Sequence, residues 1–286
     1  PFSADLPGGW IEGTGGGKIV LSSMPAAEFS ESLSFLLRYP HGCLEQTTSR
    51  VMPLLYFDNL AKLAEPGLFE TGSAGYFVRE GIEKIVSMQN SDGSFSYWPG
   101  GRYINEWSSI YASQFLVEAR DAGYSVPDGV YTKMLSFLET LISDDYNKGD
   151  ERRSYRYFNQ RLVYACYVLS IAGRPPITTL RYIRENSLDD IYDSSQYQLA
   201  YSFAKAGDMK TASSLLPAVV HPVQVERTTG GNFNSSLRAN SIMLYALADI
   251  FPENPGVDEL MKKVTADLTM NKYYTTQGTA FALLAL

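Results

Sequence analysis

One phrase recurs along this chain, and it limits what the chain can fold into. It reads Trp107-Ser108-Ser109-Ile110-Tyr111-Ala112-Ser113-Gln114-Phe115-Leu116, and it returns as Gln160 to Leu169, Tyr197 to Ala204, Ala239 to Leu247 and Thr276 to Leu284. Each copy is rich in small residues and apolar nearly all round, the pattern of a helix buried on several sides and approached closely by its neighbours. The copies stand roughly 35 to 50 residues apart, which is room for one helix pair per repeat. Helix-pair repeats stack into an open solenoid or close into a ring, and burial on several sides favours the ring. Gly123, Gly173 and Gly207 follow three of the copies, where a glycine stops a helix.

The rest of the chain fits an all-α domain with an extended approach. Residues 1–25 read as a lead-in from a preceding domain, with a turn at Gly13 to Gly17 and strand character in Lys18-Ile19-Val20-Leu21-Ser22. From residue 26 to residue 286 helical periodicity takes over: Leu33, Leu36 and Leu37 are spaced for one helix. Leu54, Leu55, Phe57, Leu60 and Leu63 are spaced for another over Val51 to Leu63, with Pro53 in an early turn. A chain of 286 residues with 45% hydrophobic and 19% charged residues is expected to bury a sizeable core. Its 20 tyrosines call for hydroxyl partners at the interfaces between helices. A net charge of -7 without any Lys/Arg run argues against nucleic acid as a partner. No apolar run approaches the roughly 20 residues of a membrane span, and Pro1 to Asp5 does not read as a signal peptide. A start without Met and an end inside the apolar Phe281 to Leu286 suggest a piece of a longer protein, with targeting signals elsewhere.

The chemistry concentrates in Tyr39-Pro40-His41-Gly42-Cys43-Leu44-Glu45-Gln46-Thr47-Thr48. Residues three apart face each other across one helical turn. If the Cys43 thiol attacks the Gln46 side-chain carbonyl, ammonia leaves and a thioester closes a ring of about 15 atoms, with little strain. Such a bond is a stored acyl donor. Gly42 is expected to give the backbone freedom before the thiol, and a helix N-terminus at the motif to lower the thiol pKa. Glu45 either helps move a proton during closure or suits the first helical turn electrostatically, the second being favoured. Tyr39, Tyr56 and Phe57 are candidates for shielding the bond from water. Cys166 lies in an apolar helix and reads as a buried thiol.

Gly42-Cys43-Leu44-Glu45-Gln46 resembles the thioester motif of the α2-macroglobulin and complement superfamily, and the string from Tyr39 to Thr48, with Leu44 where animal members usually have Gly, looks like the bacterial α2-macroglobulins. Two further matches fall in the right order: the Gln89-x-x-x-Gly93-x-Phe95 turn and Tyr274-Thr275-Thr276-Gln277-Gly278-Thr279. The turn, with a related one at Gly230 to Phe233, also resembles that of the α/α toroids of terpenoid cyclases and prenyltransferases. The resemblance implies an α/α toroid thioester domain of a protease trap, with Cys43 and Gln46 forming the bond and Gly42, Glu45 and Tyr39 in support. It implies covalent capture of proteases through their amines, shielding by neighbouring domains, no cofactor, single-use acyl transfer rather than enzyme turnover, and a periplasmic or cell-surface setting. Complement-like members use a histidine from a later loop to reach hydroxyls. The corresponding stretch here, Ser143 to Tyr157, holds no histidine, which implies an amine acceptor.

Other patterns are weaker. Gly13 to Lys18 fails as a phosphate loop because Glu12 stands where the first glycine belongs and Ile19 follows Lys18. His41 and His221, the only histidines, are too far apart with the two cysteines for a metal site. Asp189-Asp190-Ile191-Tyr192-Asp193 has the shape of a magnesium-diphosphate motif, and Asp144-Asp145 or Asp189-Asp190 with the many tyrosines would suit sugars. The alternative function is therefore a toroid enzyme acting on carbohydrate or prenyl diphosphate.

Overall fold

The structure, a computed structural model, describes residues 29–39, 42–70, 72–147, 156–228, 232–270 and 275–286. The described residues form helices α1 (Ser30–Arg38), α2 (Leu44–Val51), α3 (Asp58–Ala64), α4 (Ala74–Val86), α5 (Glu106–Asp121), α6 (Asp128–Asn147), α7 (Arg156–Ile171), α8 (Ile177–Asn186), α9 (Asp193–Lys205), α10 (Met209–Leu215), α11 (Ser236–Ile250), α12 (Gly256–Thr269) and α13 (Thr276–Ala285). No strand forms among them; only isolated bridges pair Gln89 with Phe95 and Ser96 with Ile104.

The five copies of the recurring phrase are α5, α7, α9, α11 and α13. Each packs against the next, and α2 packs between α13 and α5, so six inner helices close a ring. Small side chains let the inner helices approach: Ser108, Ser109, Ala112, Ser113, Ser195, Ala200, Ser202, Ala239 and Ser241 are all buried. The outer helices are amphipathic and cover the ring. On α12, Leu260, Val264 and Leu268 point inward four residues apart, and each such buried side chain contributes about 1.5–3 kcal/mol. The fold is the all-helical α/α toroid.

Gly123, Gly173 and Gly207 take left-handed φ of 88°, 76° and 85° at the ends of α5, α7 and α9. The Gln89 turn locks the first repeat. Gln89 Nε2 donates to Val130 O at 2.9 Å, and Gly93, at φ 91°, lies so near α6 that a Cβ would sit 2.1 Å from Lys133 O.

Two expectations fail. Val51 to Leu63 is not one helix: α2 ends at Val51, and Pro53–Leu55 forms a single 3₁₀ turn before α3. Pro53 lacks the N–H that would continue the α-helical ladder. The stretch Ser143 to Tyr157, expected as a loop, is partly helical: α6 runs to Asn147 and α7 begins at Arg156. The lead-in (1–25), His41, Tyr274, Gly230 and Gly231 lie outside the described residues.

Candidate functional site

Side chains from the inner helices meet at their N-terminal starts. Trp107 of α5 donates to Gln277 of α13, and Thr276 of α13 donates to Glu45 of α2. The Cys43 motif lies at this mouth of the ring.

Cys43 is the N-cap of α2, with extended backbone at φ -66°, ψ 170°. Its Sγ accepts the backbone N–H of Gln46, while Gln46 Oε1 reaches back to accept the Cys43 N–H at 3.3 Å. The pair makes a reciprocal capping box, with a thiol in place of the usual hydroxyl. Each side chain thus folds back onto the other residue's backbone over the first turn. Leu44 N donates to Tyr97 O at 3.0 Å, tying the turn after Phe95 across the motif.

The thiol is 1% exposed, and its environment overturns the expectation of a depressed pKa. Burial pushes the Cys43 thiol up; the Gln46 N–H works against this, Glu45 adds to it, and a hydrogen bond from the Tyr97 hydroxyl lowers it. Desolvation of the thiolate outweighs the helix start. Tyr97 itself is raised, first by burial and then by Cys43.

Glu45 is not a solvated first-turn acid. It is buried, and its carboxylate accepts from Thr276 Oγ1 at 2.9 and 3.0 Å and from Ser49 Oγ at 2.8 Å. Burial raises its pKa, and these bonds together with one from the Gln277 backbone hold it back. Glu45 therefore fastens the ring where α13 meets α2.

Gly42 takes no left-handed φ. A Cβ there would meet Lys84 Nζ at 2.1 Å, the end of a flexible side chain that can swing aside, so the contact does not by itself require glycine. Gly42 and Lys84 border a cleft of about 110 Å³ that also touches Thr47, Arg50 and Glu80. Tyr39 caps α1 and packs edge-on against Phe35 at 5.6 Å. Tyr56 is 54% exposed, and its hydroxyl donates to Glu118 Oε2 at 3.3 Å. Phe57 packs on the core. The aromatic group on the sulfur is Tyr97, which the sequence reading missed by looking only near the motif. Tyr97 packs against Trp98 and Tyr103, both of which are exposed, as is Ile104.

The remaining candidates do not assemble. Asp144, Asp189 and Asp190 are exposed, and His221 pairs with Glu259 at 3.2 Å on the surface. No group of three or more His, Cys, Asp or Glu is placed to hold a metal among the described residues. Cys43 and Cys166 are both buried and outside any disulfide.

A closed α/α ring with a Cys/Gln capping box at its mouth defines the class of helical thioester domains. Residues 16–162, just over half of the chain, match the A-macroglobulin TED domain family, and the chain belongs to that family. It is 29% identical over 245 residues to Alpha-2-macroglobulin of Escherichia coli strain K12, covering 82% of this chain and 14% of that protein. The structure of Salmonella alpha-2-macroglobulin reacted with methylamine is similar at TM-score 0.77 and 27% identity, over 90% of this chain and 17% of that one. Escherichia coli alpha-2-macroglobulin activated by porcine elastase is similar at TM-score 0.73 and 25% identity, over 88% of this chain and 24% of that one. The chain thus corresponds to a small part of the length of the proteins it matches.

Proposed function

We propose that Cys43 and Gln46 form an internal thioester and that the whole protein is a protease trap. In closure, Cys43 Sγ adds to Gln46 Cδ, the thiol proton passes to the departing nitrogen, and ammonia leaves. In capture, an amine attacks the same carbon, the sulfur leaves as thiolate, and Gln46 becomes an amide link to its target. The observation that carries this reading is the reciprocal capping box in a site that buries the sulfur. The Tyr97 hydroxyl, hydrogen-bonded to the sulfur, and the buried Glu45, with its pKa raised, are the groups beside the motif that can hold or pass a proton.

The step happens once per molecule, so the protein is an inhibitor rather than a catalyst that turns over. The relatives support the chemistry: one was reacted with methylamine and another activated by porcine elastase. Lysine amines of attacking proteases are the proposed partners, and residues 1–25 the proposed link from a preceding domain. Neighbouring domains would complete the cover over Tyr97, Trp98 and Tyr103. Among the described residues no helix is long and apolar enough to cross a membrane; a periplasmic or cell-surface setting is part of the proposal.

On the ring axis the toroid-enzyme alternative finds no room among the described residues. The cavity on the ring axis, between Gln114, Tyr167, Gln198 and Phe281, measures about 10 Å³, space for a water at most. Intact-mass measurement tests the proposal. Closure removes one ammonia, methylamine adds back at Gln46, and Cys43→Ala abolishes both. Without its neighbouring domains the chain should hold the bond poorly. Amine incorporation that persists in Cys43→Ala would overturn the assignment.

A further inference from the structure

Arg238 opens α11 at the same mouth of the ring and is 1% exposed. Among the described residues its Nε, Nη1 and Nη2 all lack a hydrogen-bond partner. The guanidinium lies 4.6 Å from the Trp107 ring centroid and 5.2 Å from that of Phe281. Those rings offset part of the charge, but they give the N–H groups no acceptor oxygen. The two tyrosine hydroxyls that act on its charge turn elsewhere, Tyr164 toward Gln114 Oε1 and Tyr111 toward Ser49, and neither accepts from the guanidinium.

A second orphan donor lies beside the first. Gln277 is fully buried. Its Oε1 accepts Trp107 Nε1 at 3.2 Å, which turns the amide so that Nε2 is left without a partner among the described residues. Gln277 and Phe281 are one turn apart on α13, and Arg238 touches Phe281 and the same Trp107. Two adjacent helices therefore present unpartnered buried donors, one of them cationic, around a single indole. A buried charge left unpaired costs several kcal/mol, and a set made only of donors is matched by an acceptor that carries negative charge.

We propose that this cluster is a binding site for a small inorganic anion of halide size, held by Arg238 and the Gln277 amide over Trp107. The near-complete burial of all three side chains favours a monatomic ion over a larger polyatomic one.

The test uses sodium bromide, with sodium gluconate holding the ionic strength constant. Crystals grown in bromide are expected to show an anomalous peak within hydrogen-bond distance of the Arg238 guanidinium. In solution the unfolding midpoint should rise with the logarithm of bromide concentration above the dissociation constant, by about 5 °C at a hundredfold excess. Gln277→Glu places a carboxylate at the same spot, still accepts from Trp107, and should remove the bromide dependence while leaving the fold intact. Arg238→Met should remove it as well. The inference is overturned if the wild-type midpoint ignores bromide and the map has no peak. It is equally overturned if Gln277→Glu folds and responds to bromide as the wild type does.

Discussion

Glu118 offers a quantitative test of how dry the ring is. Its carboxyl is almost fully buried between α5 and the Tyr56 turn, accepting from Gln114 Nε2 at 2.7 Å and Tyr56 OH at 3.3 Å. Burial pushes its pKa from 4.5 up to about 7; the two hydrogen bonds oppose this, and Asp121 reinforces it. The folded state therefore binds the proton more tightly than the unfolded chain does. The associated stability is fully present below the unfolded value near 4.5 and is lost as pH rises through about 7. Because the group is buried, solvent screening does little to reduce the effect. Between about pH 5 and about pH 8 the loss is about 2.5 kcal/mol. Glu118→Gln keeps the shape and the acceptor for Gln114 but cannot ionise. Urea unfolding of both proteins across this range should show the wild type losing that much stability relative to the variant. Two curves that stay parallel would refute the reasoning, because Glu118 would then be hydrated or paired in the folded protein.

Thr276→Val removes a donor from the buried Glu45 carboxylate, and hydrogen bonds to charged groups are worth about 1.5–3 kcal/mol; urea unfolding should show a loss of about 2 kcal/mol, mostly cancelled in a Glu45→Gln background. Tyr97→Phe keeps the ring but removes the hydroxyl that lowers the thiol pKa; the pH profile of Cys43 alkylation should move to higher pH, and an unmoved profile would sink the contact. Gly81→Ala would put a Cβ 2.6 Å from Val51 Cγ1, so thermal unfolding should show a loss of about 1–3 kcal/mol from overpacking α4 on α2, largely relieved by Val51→Ala.

The sequence showed most where a local rule governs. A helix buried on all sides must be made of small and apolar residues, so the copies starting at Trp107, Gln160, Tyr197, Ala239 and Thr276 marked five of the six inner helices. The sixth, α2, is only eight residues long and carries the reactive motif, so it did not share the phrase. The Cys43 and Gln46 pair was legible because its geometry is confined to one turn. The break at Pro53 was misjudged because apolar spacing continues across it while the N–H ladder does not. The role of Glu45 was hidden because its partner Thr276 lies 231 residues away. Tyr97 was missed for the same reason: a turn between α4 and α5 delivers it to the sulfur, and no spacing near Cys43 announces it.

The meeting of α2 with α13 has a bearing on timing. A thiol and an amide three positions apart are neighbours as soon as they leave the ribosome, yet the wall that keeps water from them arrives much later. Until Thr276 reaches Glu45, a bond formed early would be open to hydrolysis. Under the proposed thioester, useful acyl chemistry would belong to the completed circle, and damage that pulls α13 away should disarm the proposed site even with every atom of Cys43 and Gln46 intact.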